Sequence, residues 1–312
     1  MSYCMRKWFF DLNIDETTYI YFIVVEIDFV LFKVKNLTLN YYNNDTGIIA
    51  KSKIIRSKAA NDDWDTLTIQ GKQLSIQPEN QTLNIKANFP DLKMNISLDN
   101  YADSFSRHTF IVSEKSKSIR WFFVPYYMKA TGSMEINLIR LTANSCTSYV
   151  DYVTCDILPF KIPINKMFWG RMMTPEFLIT YSCLRMKRGT QVARCFLVIG
   201  GEKYCFDQVE YNRISGLPEG KEESNDENVY QLEATQGGVA LKVLIRHKLT
   251  AASGSFIDPE KFKFKKPFYL LNKLSNNPHG KKYISEADIE LSINGKNLHW
   301  EKIVCIDEYV LY

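Results

Sequence analysis

The residues best placed to do chemistry are a carboxylate and the aromatic side chains around it: Asp151 lies between Tyr149 and Tyr152 in a β-type run that ends at Cys155. On a regular strand Asp151 faces away from Val150 and Tyr152. A carboxyl held in an apolar pocket resists ionisation and keeps a proton that it can give to a double bond. The same aspartate can equally well tie down a chain crossover by accepting backbone N–H groups, so both readings stay open. Tyr126, Tyr127 and Trp169 join Tyr149 and Tyr152 as a second set of candidates. Their ring faces would attract a cation within about 6 Å and their phenols would orient a polar head group, although aromatic residues at such a place are also ordinary core. Arg185, at the end of the run from Phe177 to Leu184, either holds an acid such as Asp151 ionised or is a solvated strand end.

Other chemistries find little support. His108, His247, His279 and His299 are scattered, with no serine or cysteine motif that would make a triad, and read as surface or hydrogen-bonded structural residues. The 7 cysteines include no C-x-x-C pair and no histidine at metal-ligand spacing, which argues against zinc. No glycine-rich phosphate loop is present, and no cofactor is expected. A net charge of +4 is too small for a nucleic-acid surface. The run Lys261 to Phe268 alternates lysine with phenylalanine, which fits a strand with rings inward and lysines in water as well as a peripheral contact with anionic lipid. Cytoplasmic residence, possible peripheral membrane contact and reduced thiols follow from an odd cysteine count and an opening stretch without the apolar core of a signal peptide.

The elements that must position these groups are strands. Leu83, Ile85 and Ala87 alternate with polar neighbours, as do Leu92, Met94, Ile96 and Leu98, the pattern of antiparallel sheets with one face in water. Pro78-Glu79-Asn80, Gly200-Gly201, Gly237-Gly238 and Asn294-Gly295 punctuate such runs as tight hairpins. Tyr19 to Phe32, the most apolar stretch, carries Glu26 and Asp28 and is shorter than the roughly 20 residues of a spanning helix, so it too reads as strand. The class expected is all-β, closed barrels or sandwiches rather than any α/β architecture. At 312 residues the chain is long enough for one large domain or for two. The boundary falls where Pro159 and Pro163 interrupt pairing, giving an N-terminal unit 1-162 and a C-terminal unit 163-312.

Several segments, in this order, resemble the carotenoid 1,2-hydratase (CrtC)/AttH-type two-domain lipocalin-like family. They are Lys7-Trp8-Phe9-Phe10-Asp11, Thr131 to Ile136 leading into Tyr149-x-Asp151, Trp169-Gly170, the run ending at Arg185, Gly200-Gly201, and Gly295 to Glu301 with Glu308-Tyr309. Relatives that hydrate alkenes carry Tyr-His-Asp-His-Asn-Trp-Gly at the join, where this chain reads Tyr149-Val150-Asp151-Tyr152-Val153-Thr154-Cys155. Only the tyrosine and the aspartate are retained.

The resemblance implies two lipocalin-like (calycin-type) antiparallel barrels or half-barrels with a cavity at their junction, and a hydrophobic small molecule as ligand. It implies an isoprenoid, terpenoid or lipid-like alkene as substrate, with Asp151, Tyr149 and Tyr152 catalytic and Trp169, Tyr126, Tyr127, Trp8 and Arg185 binding it. Of the two acid-initiated outcomes, cyclisation fits better than hydration, because it needs no water held by the missing histidines. A non-enzymatic lipid-binding protein of the same superfamily is the alternative. From the cysteine count, thiol titration of denatured, unreduced protein is expected to find all seven sulfhydryls, and two or three disulfides would point to export instead.

Overall fold

A computed structural model describes residues 3–15, 18–29, 32–43, 47–55, 68–99, 109–114, 116–123, 128–215, 228–255 and 279–312, with 266, 269 and 273. It divides into two units, Met1–Ile157 and Leu158–Tyr312, a division five residues ahead of the one placed at 162/163.

The strands of the first unit are β1 (Tyr3–Asn13), β2 (Thr18–Phe29), β3 (Phe32–Asn43), β4 (Gly47–Ile55), β5 (Leu74–Glu79), β6 (Thr82–Phe89), β7 (Leu92–Asp99), β8 (Thr109–Glu114), β9 (Lys117–Phe123), β10 (Met128–Ile136) and β11 (Ile139–Cys155). The second unit follows a 3-10 turn at Pro159–Lys161 with β12 (Ile164–Met173), β13 (Phe177–Met186), β14 (Gln191–Ile199), β15 (Glu202–Phe206), β16 (Gln208–Ser215), β17 (Val229–Gln236), β18 (Val239–Ser255), β19 (His279–Ile293) and β20 (Lys296–Leu311). The expected all-β class is what is found. Lys266, Tyr269 and Lys273 are helical, and among the described residues no helix is long and apolar enough to cross a membrane.

Each unit is one antiparallel sheet, and the two share a strand order. The first runs β4-β3-β2-β1-β11-β10-β7-β6-β5, with β9 also paired to β11 and β8 to β9; the second runs β15-β14-β13-β12-β20-β19-β18-β17-β16. In both, a four-strand meander joins the rest of the sheet through its first strand, which pairs with the last. The second sheet curls until β14 lies alongside β16 and β15 alongside β17, though no ladder joins them.

Alternation explains the cores. Leu83, Ile85 and Ala87 of β6 and Leu92, Met94, Ile96 and Leu98 of β7 are buried, and they meet Trp8, Phe10, Phe22 and Val24 in the first core. The second core gathers Phe168, Met172, Tyr181, Tyr211, Leu232, Val243 and Ile289. The hairpins follow the turn chemistry: Gly200-Gly201, Gly237-Gly238 and Asn294-Gly295 take positive φ at both positions, the conformation that suits a two-residue turn to the strand twist. All seven cysteines are free thiols. Burial pushes Cys146 up to about 11 and Cys155 and Cys183 up to about 12. Of the stretch Lys261 to Phe268 only Lys266 belongs to the described residues.

Gly132 of β10, opposite Ile96 of β7 and just past the register shift in the β10–β11 ladder, has φ +131°, and a Cβ there would sit 2.1 Å from the carbonyl oxygen of Asn95. Gly132→Ala therefore combines a strained backbone with a backbone clash. It is expected to cost about 2–5 kcal/mol, read as a lower urea midpoint at unchanged m-value.

Candidate active site

Asp151 sits where β11 changes neighbours. The strand pairs with β10 up to Met128↔Ser148 and with β9 from Phe123↔Asp151 onward. Its alternation sends Val150 and Tyr152 into the first core and leaves Tyr149 and Asp151 on the opposite face. Phe9 and Asp11 of β1 and Tyr19 and Tyr21 of β2 share that face, with Phe9 opposite Asp151 and Asp11 opposite both Tyr149 and Tyr21. All six are buried, so these strands have no solvated side here.

Two carboxylates therefore occupy one buried aromatic surface: Asp11 is 0% and Asp151 1% exposed. They are diagonal neighbours on paired strands, which sets their Cα atoms about 7–8 Å apart. Their surroundings differ. The backbone N–H of Tyr149 donates to Oδ1 of Asp11 at 3.2 Å, and Ser148 Oγ donates to the Asp11 carbonyl at 2.6 Å. Asp151 receives the Tyr149 hydroxyl at Oδ2 over a long 3.4 Å. Phe9 lies beside both tyrosines, with its centroid 5.8 Å from Tyr21 and 6.5 Å from Tyr149. Such a surface offers one carboxylate fixed by the backbone, another bonded to a phenol, and ring faces around both.

The other expected site residues are distributed as follows. Tyr152 and Trp8 lie on the core side of the same strands, stacked at 4.3 Å with planes 17° apart, and Tyr152 also stacks on Phe122 at 5.5 Å. Tyr152 thus turns away from the face that carries Asp151 and Tyr149. Trp169 is buried in the second unit, with the Lys282 ammonium 5.8 Å from its ring and Oε2 of Glu308 2.5 Å from that ammonium. The Arg185 guanidinium lies 5.9 Å from the ring of Phe168. Tyr126 and Tyr127 fall outside the described residues.

Sequence reasoning missed Asp11 as a site residue, and it also missed buried Arg171, which stands next to Trp169 but one on β12. A charge inside an apolar run, Trp8 to Leu12 in one case and Met167 to Met173 in the other, was the available signal. In the first unit Phe9 of the first strand lies opposite Asp151 of the last, and in the second Trp169 of the first strand lies opposite Glu308 of the last. Aromatic–acid pairing across the first and last strands thus occurs in both halves.

No protein-family model and no curated protein sequence matches the chain. Solved structures do. CghA in complex with Sch210972 superposes with a TM-score of 0.68 at 10% identity, covering 99% of this chain and 88% of that one. Kievitone hydratase from Nectria haematococca gives 0.61 at 12% identity over 99% and 88%. A putative AttH from Nitrosomonas europaea gives 0.58 at 10% identity over 98% and 92%. At the level of the fold, the resemblance to the CrtC/AttH-type two-domain lipocalin-like proteins holds along the whole chain.

Because Trp8 is wholly buried against Tyr152 and Phe10, Trp8→Ala is expected to behave as a core truncation. It should cost about 3–5 kcal/mol in urea unfolding, whereas Asp151→Asn, which keeps the shape, should move the midpoint far less.

Proposed function

We propose that this chain is an enzyme that protonates an apolar, alkene-bearing small molecule, an isoprenoid, terpenoid or related lipid, and so starts a cyclisation or a hydration. The observation that carries this reading is the buried carboxyl of Asp151, bonded to a phenol and set among aromatic rings. The fold shared with a hydratase, and with CghA, whose crystal holds Sch210972, supports it.

Removal from water favours a neutral carboxyl over a carboxylate, and only the neutral form can give a proton to an alkene. In the proposed step the alkene π electrons take the proton of Asp151 and leave a carbocation and an aspartate. The rings of Phe9, Tyr21 and Tyr149 present negative faces to that cation. A second double bond of the substrate then closes a ring, or water adds, and the final proton loss returns a proton to Asp151. Asp11, held by the Tyr149 backbone N–H, is a second acid on the same surface, and Tyr149 orients Asp151 through its hydroxyl.

A carrier without catalysis is the second reading, and one observation favours it. Val150 and Tyr152, which stand where alkene-hydrating relatives carry histidines, are buried in the first core rather than beside Asp151. Cyclisation, which needs no positioned water, is less affected by that difference than hydration.

Native mass spectrometry of freshly purified protein should reveal a bound isoprenoid or polyene, which then serves in the assay. Asp151→Asn is expected to lower turnover about a hundredfold with little change in affinity. Turnover within about threefold of the unmutated protein would make Asp151 structural. Tight binding with no turnover in either form would establish the carrier.

A further inference from the structure

The water-facing side of the first sheet holds an open depression of about 670 Å³ beside the tips of the β6–β7 and β10–β11 hairpins. Two rows of side chains, each in register across the four strands, line it. One row reads Asn88, Lys93, Glu135 and Arg140, and the next reads Lys86, Asn95, Ser133 and Thr142. Strand parity sets these on the face opposite the buried Ala87, Met94 and Met134. All of them are polar.

Three of these groups are cations and one is an acid. Lys93 Nζ lies 3.7 Å and Arg140 Nε 3.6 Å from the oxygens of Glu135, too far for hydrogen bonds, so one carboxylate is shared between two cations. Lys86 is a diagonal neighbour of Lys93 and has no carboxylate partner among the described residues. The depression therefore carries two positive charges in excess. The next row along the face, Asn84, Ser97 and Thr131, is neutral, so the surplus is local. Concavity on its own does not produce such a surplus. The water-facing side of the second unit has a depression of about 560 Å³ on β17 to β20, where Lys242 stands opposite Glu233 on one side and Glu290 on the other. One lysine between two carboxylates leaves no excess of positive charge there.

We propose that the depression on β6, β7, β10 and β11 binds the phosphate group of a soluble phosphomonoester, with Lys86, Lys93 and Arg140 around its oxygens and Asn95 and Ser133 donating beside them. Such a group fits on two counts: its charge of about −1.5 to −2 at pH 7 matches the surplus, and its three terminal oxygens accept from several donors at once. The volume lies within the range of small-molecule sites, and a concave floor suits a compact head group better than a flat membrane surface. Arg140 and Asp151 share β11 but are separated by roughly 35 Å of extended chain. The site is thus distinct from the Asp151 surface and does not depend on its function.

Phosphorus NMR titration of the whole chain with glycerol 3-phosphate, at constant ionic strength, tests the assignment. One saturable site with Kd of about 0.1–1 mM is expected, because exposed charges act through water. Lys86→Gln and Arg140→Gln, both at exposed positions that leave the fold intact, should each weaken binding about threefold and together about tenfold. The matched neutralisation in the other depression, Lys242→Gln, and Asp151→Asn should change the affinity by less than about twofold. No saturable binding at about 10 mM ester, or a loss in Lys242→Gln as large as in Lys86→Gln, would overturn the proposal. Co-sedimentation with phosphatidic acid vesicles in the absence of binding to the soluble ester would overturn it as well, making the surface a membrane contact.

Discussion

Pairing of the first strand of each unit with its last is the constraint on which the rest depends. β1 is held between β2 and β11, and β12 between β13 and β20, so these central strands receive hydrogen bonds along both edges. Their side chains are buried on both faces over much of their length. Almost any residue there must be apolar, aromatic or partnered, because an isolated buried charge is costly. Asp11 and Arg171 on these strands, and Asp151 and Asp307 on the last strands paired with them, are therefore informative: they are tolerated only where something nearby compensates.

Much of the fold was legible because alternation and turn chemistry are local. The burial of Leu83, Ile85 and Ala87, the Gly200-Gly201 and Asn294-Gly295 hairpins and the absence of a helical stripe were all readable within a few residues of each position. Asp151 was legible as well, including its orientation away from Val150 and Tyr152, since a period of two fixes relative facing. What alternation does not reveal is which faces are buried twice. Tyr152 and Trp8 belonged in sequence to the same aromatic group as Tyr149, yet strand parity sends them to the other side.

Other features depended on register between distant strands. The common strand order of the two halves carries no sequence repeat, because what repeats is backbone pairing and not residue identity. His247 looked isolated in the sequence because Asp307, 2.5 Å from it, and Ser285, which donates to Asp307, arrive from two later strands with bulges between, including the shift at His247/Leu249. The polar character of the second core is thus a property of three strands in register, and no one of them shows it alone.

The pairing of β1 with β11 also has a temporal side. The contact between Asp11 and Tyr149 spans 138 residues, and β12 waits almost as long for β20. Loop-closure entropy must be met before such contacts return anything, so chains with long-range pairing fold slowly. During synthesis at about 5–20 residues per second, β1 leaves the ribosome many seconds before β11 exists, with one edge unpaired and Trp8, Phe9 and Phe10 uncovered. The strand that later organises the unit is, for that interval, the segment most open to pairing with another chain.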